Sequence, residues 1–545
     1  MRGLLLPAFV LATAACGGAA TSPAVPSSSP TIPTSGAVLP APRSFEEEAH
    51  GLLVELVSVD TSRGRETDAL RPIAEKLKQA GVPAEIIESA PGRGNLIARL
   101  KGNGSKRPLL LLAHVDVVPV EGQPWTVPPF VPTEKDGFLW GRGIGDDKSM
   151  AAAFTATMLA LAREKTPLSR DVILALTADE EQGGFAGVQW LLAHRRDVLD
   201  AEIALNEGGS IVTSDEFEGV ELVGIGVAEK SYQSYRLVAK GGGGHSSVPK
   251  PGDDPALTIA RAVVKVGEHR FPARVLPEVA GWLAASATWE KPPLAAALQR
   301  ASETAPRLRP EDERVLGNDR SYNALVRTTC VTTMLKGSPQ DNVLPTSVEA
   351  TVNCRILPDE TREATRDALV RVIGDPRVDV TPLVDERIGP PAPIDGVVPS
   401  AIEKVARAAF PGAKVVRSMG TGATDSRHLR AAGILAYGLS GAPTSIEEGR
   451  MGHGAHGPDE RRPTKRLASF ATSSSSSRAD PRGDASRKKG RRGATARGRR
   501  VSSGRKEPTC SSTISSRPPG GTAPTPRTSR RSSTGAVPRA GSWLA

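Results

Sequence analysis

The 545-residue sequence predicts an α/β fold: a mostly parallel sheet with helices on both faces, interrupted by an inserted α+β segment of four strands and two helices. Three observations predict it. First, uniformly apolar runs alternate with helix-patterned ones. NLIARL (95–100), PLLLLAHVDVV (108–118), DVILALTA (171–178) and EIALN (202–206) read as strands, while SMAAAFTATMLALAREK (149–165) and GVQWLLAHRR (187–196) read as helices. Continuous apolar strands between helices are the mark of a parallel sheet buried on both sides. Second, the pattern changes near residue 229. YRLVAKG, TTCVTTMLKG and SVEATVNCRIL read as strands, with helices from Pro255 to Gly267 and from Thr361 to Ile373. Third, strand–loop–helix–strand alternation resumes over KVVRSMGTGATDSRHLRAAGILAYGL (414–439). Residues 45–58 and 67–80 carry apolar residues at helical spacing. The expected organisation is therefore a first domain over 45–228 and 385–470, with an insertion over 229–384.

The ends differ from this body. MRGLLLPAFVLATAACGG has a basic residue, an apolar run and small residues, the pattern of an export signal. Cys16 follows Thr13-Ala14-Ala15 as in a bacterial lipoprotein signal, so residues 1–16 predict export to the periplasm or a lipid anchor on Cys16. Residues 17–44 are a Ser/Pro-rich linker. Cys330 and Cys354 lie in neighbouring strand-like runs and read equally as a disulfide or as two buried thiols. The net charge of +10 is unevenly spread: residues 461–545 hold 21 Lys and Arg against 3 Asp and Glu, leaving 49 against 57 in residues 1–460. The body is mildly acidic, which argues against a nucleic-acid partner. The basic tail, 471–545, lacks any amphipathic pattern. It reads as out-of-frame translation after Phe470, ahead of a solvated extension or a basic arm.

Five short segments place acids and histidines where strands should end. LLLLAHVDVVP has His114 and Asp116 two apart, on one side of an extended chain. A carboxylate there can fix the tautomer of a metal-bound imidazole. LWGRGIGDDKS sets Asp146 and Asp147 in a glycine-flanked turn before a helix. ILALTADEEQGG ends a strand with Asp179, Glu180 and Glu181, IALNEGG supplies Glu207, and AHGPDE supplies His456. Taken singly, each has a structural reading as a cap, a solvated pair or a hydrogen-bonded histidine. Together they are converging carboxylates that need a cation to offset their charge. Mixed His and carboxylate donors suit zinc, and a shared carboxylate suits two ions roughly 3.5–4 Å apart.

HVDVVP, GRGIGDDKS, ADEEQGG, NEGG, GGGGHSSVP, NVLP, NCRILP and HGPDE, in this order, resemble the dinuclear-zinc metallopeptidase family. That family includes carboxypeptidase S, the glutamate carboxypeptidases, aminoacylase, acetylornithine deacetylase and carnosinase. The resemblance covers residues 45–466, and EKSYQSYRL, RTTCVTTML and TDSRH look most like the carboxypeptidase S branch, which includes N-acyl amino acid hydrolases. It implies two Zn2+ per subunit, with Co2+ or Mn2+ as alternatives. His114 and Glu207 would bind one ion, Glu181 and His456 the other, and Asp146 would bridge them. His453 competes with His456, but the HGPDE register selects His456. Asp116 would orient His114, Glu180 would be the general base, and a cis peptide is common after the bridging Asp. The insertion would be a lid and homodimerisation domain. From it, His245 would stabilise the oxyanion, and Asn342 and Arg355 would bind substrate; Gly422, Thr424 and Asp425 would form a substrate-side loop. The implied reaction is hydrolysis of the amide of N-acyl amino acids or short peptides with a free carboxylate. The competing reading is an inactive remnant or binding protein that keeps the metal cage.

Overall fold

The computed structural model describes residues 44–214, 219–338, 340–383, 389–451 and 454–464; the side chains of 449–451 are not described. The signal-like segment with Cys16, His453, Cys510 and the basic tail lie outside the described residues.

The predicted strands assemble into one ten-stranded sheet. Its order is Ala84–Ala90, Arg93–Leu100, Val172–Thr177, Leu109–His114, Ile203–Asn206, Leu435–Gly438, Val220–Glu229, Ser210–Thr213 and Thr444–Ser445, with Lys414–Gly420 also paired to Val220–Glu229. The central ladders are parallel: Leu109–His114 with both neighbours, and Leu435–Gly438 with Ile203–Asn206. Strand periodicity explains why these runs are apolar throughout. Leu111, Ala113, Leu174 and Leu176 pack under the helices Phe45–Val57, Glu66–Gln79 and Lys148–Arg163. Leu110, Leu112, Ile173 and Ala175 point the other way, into a core with Leu191, Leu199 and Leu429. Alternate residues of each strand thus serve opposite faces, and both faces are covered.

Local signals set several boundaries. Ser44 and Glu47 form a capping box at the start of Phe45–Val57, each side chain bonding the other's backbone. The strand expected over 108–118 stops at His114. Val115 N donates once more, to Thr177 O, and then the chain leaves the sheet. Beyond that point Asp116 bonds a neighbouring loop.

A second sheet has four antiparallel strands: Thr329–Lys336, Ser347–Ile356, Ser231–Lys240 and Val378–Pro382. Pro255–Glu268 and Arg362–Ile373 cover one face, burying Ile259, Val266, Leu369 and Ile373 against Leu237, Val352 and Ile356. Cys330 and Cys354 are cross-strand partners here, joined as a disulfide. The stretch 229–384 is nevertheless not one packing unit. Helices Pro277–Ser286, Leu294–Thr304, Pro310–Leu316 and Arg320–Val326 bury Val279, Leu283, Leu298 and Leu325 against Ile225, Val227 and Met419 of the large sheet. Their apolar faces cover a face of the large sheet at Val220–Glu229 and Lys414–Gly420, while the four-stranded sheet has two helices of its own. Lys230, at the crossing between the sheets, is buried and donates to Ala324 O, Arg327 O and Thr329 Oγ1 at 2.8–3.1 Å. Burial holds its ammonium down at about 7.

Removing the disulfide with the double change Cys330→Ala, Cys354→Ala should lower stability by about 3 kcal/mol, because it frees a loop with a sequence separation of 24. Denaturant unfolding beside the parent chain checks this; an unchanged midpoint would show that the bridge contributes nothing.

Candidate metal centre

The chemistry-bearing segments come off neighbouring strand ends. His114 is the last residue of its strand, and Glu207 directly follows Ile203–Asn206. Asp146 and Asp147 form a turn, joined by a cis peptide, with Asp147 at the N-cap of Lys148–Arg163. Glu180 and Glu181 follow Val172–Thr177 through Asp179, whose φ is 66°. His456 precedes the strand Arg461–Pro463 and has a φ of 73°. Non-glycine residues keep such backbone only where their surroundings impose it. Here the His456 carbonyl accepts from Gln123 Nε2 at 2.9 Å and Arg142 Nη2 at 3.4 Å. Asp179 Oδ2 accepts from Ala186 N at 2.9 Å.

These residues meet. His114 Nε2 lies 2.9 Å from Asp146 Oδ1 and 3.9 Å from Glu207 Oε1. His456 Nε2 lies 3.4 Å from Asp146 Oδ2 and 2.9 Å from Glu181 Oε2. The two oxygens of Asp146 therefore face two separate His–Glu pairs. Donor atoms of His114, Asp146 and Glu181 fall within 4.8 Å of one another, as do those of His114, Glu180 and Glu207. Geometry alone offers Glu180 as a donor as well as a base.

Two buried carboxylates hold this arrangement. Asp116 accepts the Glu180 and Glu181 backbone N–H groups, each at 3.1 Å, and its Oδ1 lies 3.4 Å from His114 Nδ1. His114 Nδ1 bonds the Asp116 backbone carbonyl at 3.1 Å, so this one residue orients both the histidine and the loop of the two glutamates. Glu460 accepts from Arg142 Nη1 at 2.8 Å and from the backbone N–H of Gly143, Gly145 and Asp146 at 2.6–3.3 Å. It clamps the turn that carries Asp146. The strand Arg461–Pro463 then pairs with Phe138–Trp140, and Arg461 lies 4.4 Å and 4.8 Å over the Phe138 and Trp140 rings. The chain just past His456 is part of the site's frame.

Electrostatics identify what the cluster is built for. Burial raises Glu180, Glu207 and Asp147 well above the ordinary carboxylate range, and neighbouring acids add to this. Burial also raises Glu181. Burial opposes the charged form of His114, but bonds to Asp116 and Asp146 outweigh it and raise the imidazole. His456 rises to about 10 through its bonds to Asp146 and Glu181. Asp147 Oδ2 is buried without a hydrogen-bond partner. Acids that repel one another, gathered around two imidazoles, fit divalent cations, which would reverse these shifts. An unpaired cluster of this kind would otherwise remain partly protonated.

The cluster forms one wall of a cavity of about 260 Å³, lined also by Gly422, Thr424, Glu229 and Arg430. Gly422 and Thr424, expected in a substrate-side loop, line this cavity. Asp425 does not line it. It is buried behind the glutamate loop, where Thr177 Oγ1 donates to it at 3.4 Å, and burial lifts it to about 7. Its charge is one of the influences raising Glu180. Arg355 lies 4.8 Å over the Tyr232 ring and near enough to Glu180 for their charges to interact. His245 and Asn342 sit together on a small exposed ribbon, Gly244–His245 against Val343–Leu344, and not in the cavity. Ser247 N and Oγ are 3.1 Å and 2.8 Å from His245 Nδ1.

Sequence reading missed the clamp roles of Arg142 and Glu460. It also missed the buried pair Glu229–Arg430, whose Glu229 accepts Thr424 N at 2.6 Å. Lys148 is a further omission: it is buried, donates to Leu56 O and Val59 O at 2.9 Å each, and is lowered by burial to about 7. Only Glu460 carried a signal, as the acid closing HGPDE.

With this geometry established, comparison identifies the class. The profile described as peptidase family M20/M25/M40 matches residues 110–472, and the chain belongs to that family. It is 30% identical over 331 residues to the N-fatty-acyl-amino acid synthase/hydrolase PM20D1 of Xenopus tropicalis, covering 59% of this chain and 62% of that protein. It is 28% identical over 356 residues to the probable carboxypeptidase S-like 2 of Dictyostelium discoideum, covering 61% and 64%. The chain thus spans under two thirds of the length of these relatives. In fold it resembles the M20 family metallo-carboxypeptidase Sso-CP2 of Sulfolobus solfataricus, with a TM-score of 0.57, 16% identity, and 78% and 97% of the two chains covered. Human carnosine dipeptidase 1 gives 0.54, 16%, 79% and 97%.

Replacing Glu460 by Ala leaves Arg142 buried and unpaired, which should cost about 3–5 kcal/mol. Glu460→Gln, which keeps the shape and loses the charge, should cost less. Both should weaken zinc binding, measured by calorimetric titration beside denaturant unfolding. Undiminished metal affinity in a folded Glu460→Ala chain would remove the clamp role.

Proposed function

We propose that this chain is a metal-dependent hydrolase that cleaves the amide of N-acyl amino acids, or of small peptides with a free carboxylate, to a carboxylate and an amine. One observation carries the reading: a single half-buried carboxylate, Asp146, presents its two oxygens to two separate His–Glu pairs on the wall of a cavity. The name of the Xenopus relative, an N-fatty-acyl-amino acid synthase/hydrolase, and the carboxypeptidase name of the Dictyostelium one support the same choice. Zinc would suit the mixed donors best; His114 and Glu207 would hold one ion, Glu181 and His456 the other, with Asp146 shared. When bound, such ions supply Lewis acidity and lower the pKa of water.

The chain's own residues do the rest. Glu180 takes the proton of the attacking water and delivers it to the leaving nitrogen. Asp116 keeps the Glu180 backbone in place. Arg355 is a fork for the substrate carboxylate. His245 and Asn342 reach the substrate only when the ribbon closes over a site, on this subunit or on a second copy, and His245 then stabilises the oxyanion. The N-terminal segment would direct the enzyme out of the cytoplasm, with Cys16 as its anchor.

The test is a panel of N-acyl amino acids and dipeptides with the zinc-loaded chain beside Glu180→Gln, which should lose about 10²–10⁴-fold in kcat. Equal rates, or none in either, would leave a metal-holding remnant instead. In the same preparation, His456→Ala should reduce the bound metal from two ions to one by elemental analysis; two ions retained would remove His456 from the ligand set.

A further inference from the structure

Tyr232 stands on the four-stranded sheet without a part in the site described so far. In the register of Ser231–Lys240 against Ser347–Ile356 it is the cross-strand partner of Arg355, as Ser234 is of Asn353. Strand alternation puts all four side chains on the face away from the helices Pro255–Glu268 and Arg362–Ile373, because Tyr235, Leu237, Val352, Cys354 and Ile356 fill the core beneath those helices. The Tyr232 ring lies 4.8 Å from the Arg355 guanidinium. Its hydroxyl is 3.5 Å from Ser234 Oγ, which accepts from Asn353 Nδ2 at 3.1 Å.

Arg355 has few other partners. Among the described residues its guanidinium makes no hydrogen bond and no ion pair, and the Tyr232 face is its one close contact of that kind. Burial works against its charge, as does the like charge of Arg427. Thr329, its partner on the other flanking strand, already gives its hydroxyl oxygen to the Lys230 ammonium at 3.1 Å. The aromatic face is therefore what steadies this half-buried cation. An untethered arginine would lose much rotamer freedom on gripping an anion, and one already stacked on a ring loses less. We propose that Tyr232 is a positioning residue that holds the Arg355 guanidinium ready for the free carboxylate of the substrate. This role rests on the amide-hydrolase reading above and adds the group through which Arg355 acts. The carboxylate keeps its charge throughout the reaction, so its grip is felt alike in the ground state and the transition state. Loss of the ring should accordingly appear in KM and not in kcat.

The experiment assays the zinc-loaded full chain on the best substrate of the panel. Tyr232→Ala should raise KM about three- to tenfold, with kcat within about twofold of the parent's. Tyr232→Leu keeps apolar bulk without the aromatic face and should show the same loss. Tyr232→Phe keeps the face and should recover most of it. Tyr232 is 39% exposed, so none of these changes opens a cavity in a core, and thermal melts report on folding. In an Arg355→Ala chain, adding Tyr232→Ala should alter kcat/KM by less than about twofold, since the group it positions is gone. A KM for Tyr232→Leu equal to the parent's overturns the positioning role and leaves the hydrolase standing. So does the full Tyr232→Ala loss repeated in the Arg355→Ala chain, or an unchanged KM in Arg355→Ala itself. Turnover of no substrate by the parent overturns the hydrolase reading and the role of Tyr232 with it.

Discussion

Carboxylates repel, and this structure gathers Asp146, Glu180, Glu181 and Glu207 around two imidazoles, of which His114 is buried and His456 faces the open side of the site. In a folded protein that arrangement persists only if rigid neighbours hold it or cations neutralise it. Both conditions shape the molecule. Glu460 fixes the turn of Asp146 through an arginine and three backbone N–H groups. Asp116 fixes the loop of Glu180 and Glu181. The left-handed backbones at Asp179 and His456 are consequences of the same demand, since each aims its segment inward at the cost of a less favoured conformation.

The sheet explains how residues hundreds of positions apart come to share one centre. Parallel strands end on the same edge, so side chains just past His114, Thr177 and Asn206 must be neighbours. The alternating burial of Leu110–Ala113 and Ile173–Leu176 into opposite cores locks those strands in register, because a slip of one residue would exchange the two faces. Such a frame can carry a cluster of mutually repelling charges. The last donor, His456, comes from no strand end of the central sheet. Its loop is tied down by Gln123, Arg142 and the pairing of Arg461–Pro463 with Phe138–Trp140.

The insertion contributes in two ways. Its four-stranded sheet carries Arg355 and, through the ribbon, His245 and Asn342. Its helical stretch instead returns to the large sheet and lines a cavity beside the candidate metal centre. Lys230, buried at the crossing and bonded to Ala324 O, Arg327 O and Thr329 Oγ1, couples the two parts.

Much was legible along the chain because strand and helix periods, and acids at the ends of apolar runs, are local properties. His114, Asp116, Asp146, Glu180, Glu181, Glu207 and His456 were all singled out that way, and the family resemblance assigned their roles. The disulfide was an open choice until the register set Cys330 opposite Cys354. Residues that act through distant partners left no such trace. Glu229 and Arg430 are 201 positions apart, and Arg142 and Glu460 are 318 apart. The sequence by itself determined the class of fold, because that depends on periodicity, and nominated candidate donors for a metal centre through residue type and family resemblance. Tertiary structure alone decided which buried charges pair, that Asp425 lies behind the cavity rather than in it, and that the helices after Pro277 enclose a second one. Those outcomes depend on which surfaces meet once every strand has found its neighbour.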